Sequence, residues 1–119
     1  MIPSIEEMIN QYIAAWNETG LDAFNAAFDK CWAADATYTD PNFALIKGVD
    51  GIAGLAHSSR EKVPSRTFFI LALPDYHHNS GCYTWKVDLP GGIREGFDYF
   101  EFNEEHKLTR VVGFFGPLK

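Results

Sequence analysis

Cys31-Trp32-Ala33-Ala34-Asp35-Ala36-Thr37-Tyr38-Thr39-Asp40-Pro41 is the segment in which helical periodicity stops, a short strand begins and that strand runs into an Asp-Pro turn. A residue before proline is biased towards extended backbone, so Asp40 stays in phase with Tyr38 and leaves the strand on the same face. If that face is concave, Asp40 is a carboxylate in a pocket. If it is not, Asp-Pro simply opens a turn. The flanking sequence has to separate the two.

Upstream, Ser4-Ile5-Glu6-Glu7 has the form of a capping box, and Ile5, Met8, Ile9, Tyr12, Ile13 and Trp16 follow at helical spacing. The pattern predicts a first helix ending near Glu18. Tyr12 lies one turn from Met8 and Trp16 on the buried stripe, so its hydroxyl needs a partner inside. After the break at Gly20, Leu21, Phe24, Phe28, Cys31 and Trp32 mark a second amphipathic helix, with Asp22 at the positive end of its dipole.

Downstream, Asn42 to Gly48 reads as a loop whose apolar Phe43, Leu45 and Ile46 rim a pocket. Ile52, Leu55, Ala56 and Ser59 predict a third helix from Asp50 to about Glu61, closed before Pro64, with His57 at its edge. From Arg66 the period changes to two. Strands are expected over Arg66 to Leu73, Ser80 to Leu89, Ile93 to Asn103 and Lys107 to Phe115. Pro90-Gly91-Gly92 and Glu104-Glu105-His106 are hairpin-length connections, so these strands are antiparallel neighbours and the chain, 1–119, is one α+β domain.

Alternation in the strand from Ile93 puts Asp98 with Phe100 and Phe102, and Ile93, Phe97 and Tyr99 on the other face. A carboxylate on an apolar face is expected to have a raised pKa unless a cation or several donors compensate. Arg94, on the same face, is the candidate for an ion pair; the alternative is a functional carboxyl.

Composition narrows the partners. Of 119 residues 46% are hydrophobic and 15% aromatic, with ten Phe, more than one ordinary core of this size requires. A lined cavity, an interface or both are implied. The net charge of −6, with no run of Lys or Arg, lacks the footprint of a nucleic-acid or anionic-membrane binder. Met1-Ile2-Pro3-Ser4 has no basic leader and no later stretch reaches the roughly 20 apolar residues of a membrane span, so a soluble cytoplasmic protein is expected. Cys31 and Cys82 form no metal or disulfide motif, and the adjacent His77 and His78 diverge in a strand without further ligands. No metal or cofactor is expected.

Two helices, Trp-x-x-Asp-Ala-Thr-Tyr-x-Asp-Pro, a third helix after Gly48 and long antiparallel strands together make a chain that resembles the SnoaL-like polyketide cyclases and the ketosteroid isomerases of the nuclear transport factor 2-like superfamily. The resemblance implies a cone-shaped barrel in which a curved, mostly antiparallel sheet wraps three helices around an apolar cavity, the cystatin-like α+β roll, commonly as a dimer. It also implies roles. Tyr12-Ile13 matches the isomerases' oxyanion-binding tyrosine, and Asp40-Pro41 their general base. Phe97-Asp98-Tyr99-Phe100-Glu101-Phe102-Asn103-Glu104 resembles the strand of their neutral oxyanion acid, where cyclases also place a catalytic aspartate. The isomerases' supporting tyrosines stand here as Trp32 and Ala56, so Tyr12 is expected to lack their network. The longer connection from Tyr12 to Asp40 favours the cyclase-like branch.

The function expected is cofactor-independent chemistry on a small apolar carbonyl compound. Asp40 would take a proton while Tyr12 and a protonated Asp98 stabilise the enolate. The helices and first loop would contribute Trp16, Trp32, Phe43 and His57 to the pocket wall. The strands would add Trp85, Phe100, Phe102 and Phe114. The alternative is a non-catalytic module that binds a small hydrophobic ligand or serves dimeric association. A homodimer through the outer sheet face follows from large apolar residues on both faces of the strands from Ile93 and Lys107.

Overall fold

Ser4 Oγ accepts a hydrogen bond from the Glu7 amide (3.1 Å) and starts the first helix, α1 (Ile5–Trp16). In the computed structural model, which describes residues 2–116, α1 ends two residues before the expected Glu18. The carbonyls at this end are claimed from outside the helix. Arg66 donates to Trp16 O (2.6 Å), and Arg60 donates to Asn17 O (2.7 Å) and Glu18 O (3.1 Å). The Asn17 side chain binds both backbone groups of Phe68, so the end of α1 is tied to a strand 51 residues later in the sequence.

The second helix, α2 (Leu21–Cys31), begins after Gly20 at φ 92° and runs directly into β1 (Trp32–Asp40). The expected loop from Asn42 is instead a strand, β2 (Phe43–Lys47), antiparallel to β1. Its turn is tight because Asp40 Oδ1 accepts from the amides of both Asn42 (2.8 Å) and Phe43 (3.0 Å). Four of its five side chains are exposed, so β2 shows no alternation that marks it as a strand. The third helix, α3 (Gly48–Lys62), is longer than expected at its start.

Five further strands follow: β3 (Thr67–Ile70), β4 (Asp75–His77), β5 (Ser80–Leu89), β6 (Gly92–Phe102) and β7 (Leu108–Phe115). The expected strand to Leu73 stops at Ile70, and β4, which has three exposed residues and no apolar signal, is additional. The sheet order is β2-β1-β7-β6-β5-β3, with β4 also on β5. β1 and β7 are parallel and the other pairs antiparallel. The result is the expected curved, mostly antiparallel sheet around three helices, mixed through the β1–β7 pair and unclosed, with β2 and β3 as its two ends.

One irregularity controls what faces inward. Phe102 pairs with Leu108 but Glu101 with Arg110, so Thr109 is an extra residue in β7. This bulge reverses the alternation. Leu108 and Val111 are both buried, and beyond them Phe114 faces out, stacked on Phe97 at 4.9 Å. Among the described residues no helix is long and apolar enough to cross a membrane.

Candidate active site

Between the concave face of the sheet, α1 and α3 lies a cavity of about 510 Å³. Its wall carries Tyr12, Tyr38, Asp40, Trp85 and Asp98, and apolar side chains from α1, β2, α3, β3, β5 and β7 make most of the remainder.

Asp98 is set in the middle of β6 by the hairpin register. Counting back from the Pro90-Gly91 turn, Leu89 faces Gly92, Trp85 faces Gly96 and Tyr83 faces Asp98. The Tyr83 hydroxyl donates to Asp98 Oδ2 (2.5 Å) and Trp85 Nε1 donates to Oδ1 (3.0 Å). Gly96 makes the second bond possible. A Cβ there would lie 2.3 Å from the Trp85 ring, so only glycine lets the indole cross β6 to reach the carboxylate. Among the described residues Asp98 has no ion pair, and Arg94 in particular does not provide one. Burial pushes the Asp98 carboxyl up to about 6, the Tyr83 and Trp85 hydrogen bonds restrain the rise, and the charge of Asp40 adds to it. The rise is the one expected for a carboxyl on an apolar face, and the two donors leave Asp98 the acceptor of the Tyr83 and Trp85 hydrogen bonds. Tyr83 remains a donor because its own burial, with Asp98 beside it, holds it well above the usual tyrosine value.

Asp40 approaches from β1. Besides the two turn amides on Oδ1, its Oδ2 accepts from the Tyr38 hydroxyl (2.8 Å), which confirms that Tyr38 and Asp40 share a face. The two carboxylates meet over Gly113, which pairs with Asp98. A Cβ at Gly113 would sit 3.1 Å from Asp98 Oδ1, 3.4 Å from Tyr38 Oη and 3.6 Å from Asp40 Cβ. The absence of a side chain here opens the space the acidic groups share.

Tyr12 reaches the cavity from α1 with its hydroxyl buried and, among the described residues, without a hydrogen-bond partner. Its ring stacks on Trp32 at 5.7 Å, and burial followed by the charge of Asp98 holds its pKa well above the usual value. Trp32, expected in the wall, is therefore a second layer behind Tyr12.

Of the other expected wall residues, Trp16, Phe43 and Trp85 line the cavity and four do not. Phe100 and Phe102 share the face of Asp98 but sit at the filled end of the strand, Phe100 wholly buried between Tyr83 and Phe102. Phe114 is turned outward by the Thr109 bulge, and Phe115 lies against Trp85 in the wall instead. His57 belongs to the α2–α3 contact, its ring against Phe24 and its Nε2 3.6 Å from Glu61. The cavity stripe of α3 is Leu55, Ser58, Ser59 and Lys62, and His57 is about 100° around the helix from Ser58. His77 ends β4 and His78 follows at φ 52°, both exposed and outside the cavity.

Tyr83, Gly96 and Gly113 went unnoticed in the sequence as parts of the site. The turn Pro90-Gly91 carried the signal for the first two, since counting back from it pairs Tyr83 with Asp98 and Trp85 with Gly96.

A curved sheet backed by three helices, with carboxylates and a buried tyrosine at the inner end of an apolar cavity, defines the class of nuclear transport factor 2-like folds, and comparison with known proteins agrees. A provisionally named isomerase of the SnoaL-like family from Agrobacterium tumefaciens is 30% identical over 92% of this chain and 95% of its own, with a TM-score of 0.83. The chain belongs to the SnoaL-like family. A provisionally assigned polyketide cyclase from Sinorhizobium meliloti (20% identical, 90% of this chain and 93% of that one, TM-score 0.70) shares the fold. So does a provisional ketosteroid isomerase from Kribbella flavida (15%, 97% and 79%, TM-score 0.72). No family model and no curated protein matches the sequence.

Proposed function

We propose that the protein is a cofactor-independent isomerase or cyclase acting on an apolar carbonyl compound, with Asp98 rather than Asp40 as its general base. The observation that carries this reading is a buried carboxylate, raised by its burial, that lines the same cavity as a tyrosine hydroxyl without a hydrogen-bond partner among the described residues. A general base works best when its pKa lies near the operating pH. Each Asp98 oxygen holds one donor and keeps a lone pair, whereas at Asp40 only Oδ2, bound by Tyr38, keeps one and Oδ1 is filled by two amides of its own turn.

Asp98 takes a proton from carbon next to the substrate carbonyl. The C–H electrons become the new C=C bond and the carbonyl π pair moves to oxygen, where the Tyr12 hydroxyl donates to the enolate. An isomerase returns the proton from Asp98 to another carbon. A cyclase lets the enolate carbon attack a second carbonyl, and the proton goes to the resulting alkoxide. Tyr12, an orphan donor until an oxyanion arrives, makes its bond only with substrate present.

Exchange of the methyl protons of 2-acetylnaphthalene for deuterium, followed by NMR, tests this without knowledge of the natural product. Acceleration over buffer that rises as pH passes upward through about 6 is expected. Quenching of tryptophan fluorescence by the ketone without any acceleration would reverse the reading in favour of a ligand-binding module.

A homodimer is proposed through the outer sheet face. There Phe114, Phe97 and Thr84 form one cross-strand row and Val112, Tyr99 and Cys82 the next, with Phe114 43% and Tyr99 36% exposed. A second copy is the proposed occupant, and sedimentation as a monomer at micromolar concentration would reject it.

A further inference from the structure

The cavity has two chemically different ends. The buried Asp98 and Tyr12, with the half-buried Asp40 beside them, form the inner one. Arg94 shares the Asp98 face of β6 but lies four residues away, about 13 Å of antiparallel strand, and lines the cavity together with Lys62 from the last turn of α3. The register carries this end across the sheet, Arg94 facing Val87 and Val87 facing Phe68. Behind that wall the buried Arg66 guanidinium lies over the rings of Phe68 (5.1 Å) and Trp16 (5.7 Å).

Among the described residues none of these three cations has a carboxylate within ion-pairing distance. Arg66 is held by Ser59 Oγ and by the carbonyls of Trp16 and Ala56. Glu95, at the rim, faces Lys86 across the strands and alternates to the opposite face from Arg94. The chain has ten Lys and Arg against sixteen Asp and Glu, so three cations without counter-ions around one end of a cavity are a concentration the composition does not supply by default.

We propose that the ligand carries a carboxylate at the end remote from its enolisable carbon, and that this group docks between Arg94 and Lys62. A guanidinium pairs bidentately with a carboxylate, and Arg66 adds positive potential through a wall of low dielectric. The same charge is repelled by Asp98 and Asp40 at the inner end, so it also sets which way round the ligand enters. The substrate class is thus an apolar keto acid. This rests on the reading of Asp98 as base only for which end of the ligand points inward.

Binding of 6-acetyl-2-naphthoate and of its methyl ester, read by quenching of tryptophan fluorescence, tests the subsite in a matched pair. Wild type should bind the acid about tenfold or more tighter than the ester, a preference that salt reduces. The double variant R94Q/K62Q should bring the acid down to the ester's affinity and leave the ester unchanged. Equal affinities in wild type, binding of neither compound, or a preference that survives in R94Q/K62Q would each overturn the subsite. Asp98→Asn separates this from the catalytic reading, because the acid preference should persist there while deuterium exchange is lost. Exchange of the ester alone would remove the subsite and keep the base.

Discussion

Asp40 and Asp98 reach the same point over Gly113 from opposite sides, yet their surroundings give them different work. The β1–β2 turn spends Asp40: two backbone amides and a tyrosine hydroxyl bind it, and it stays partly exposed. The middle of β6 isolates Asp98: two side chains bind it, apolar walls surround it, and burial lifts it to about 6. An aspartate before proline is well suited to holding a turn, and an aspartate in the centre of a strand has no local backbone to serve. For the second we propose chemistry.

The two aspartates should differ most in their effect on rate. Asp98→Asn should lower α-proton exchange by roughly 10²- to 10⁴-fold, the usual worth of a general base, with tryptophan quenching by the ketone retained. Tyr12→Phe should follow at about a hundredfold, as for one oxyanion donor. Because its hydroxyl is buried without a partner, the same substitution should leave the free protein as stable or about 1 kcal/mol more so in urea unfolding.

Stability against pH sharpens the contrast further. The folded value of Asp98, about 6, lies above its reference value of 3.8, so its contribution to stability is complete below pH 3.8 and is lost as pH rises through 6. Urea unfolding should therefore show wild type losing up to about 3 kcal/mol relative to Asp98→Asn between pH 4 and pH 7. At Asp40 the smallest effects are expected. Asp40→Asn, which keeps an acceptor for the turn, should slow exchange only a few-fold, while Asp40→Ala should cost about 1 kcal/mol of stability by leaving turn amides unbound.

Much of this was legible from residues alone. Alternation put Asp98 on the buried face and kept Tyr38 with Asp40, because a strand's period of two survives wherever the strand is regular. It failed at Thr109, where one inserted residue sends Phe114 out and Phe115 in, and nothing in Leu108-Thr109-Arg110-Val111 announces a bulge. β2 and β4 were hidden for another reason: edge strands with exposed side chains are defined by backbone pairing, which leaves no apolar pattern. The division of labour between the aspartates depended on partners from other strands. Tyr83 could be found by counting from the β5–β6 turn, but the Asn42 and Phe43 amides that occupy Asp40 required knowing that the segment after Pro41 turns back as a strand.

If Asp98 owns the titration that controls proton abstraction, the pH profile of deuterium exchange into 2-acetylnaphthalene will differ in a set way among wild type, Asp40→Asn and Asp98→Asn. The wild-type rate should rise with a midpoint near 6. Asp40→Asn should keep the rise but move its midpoint down, because the charge of Asp40 is one of the influences that lifts Asp98. Asp98→Asn should abolish it. A profile that vanishes in Asp40→Asn and persists in Asp98→Asn would return the base to the turn.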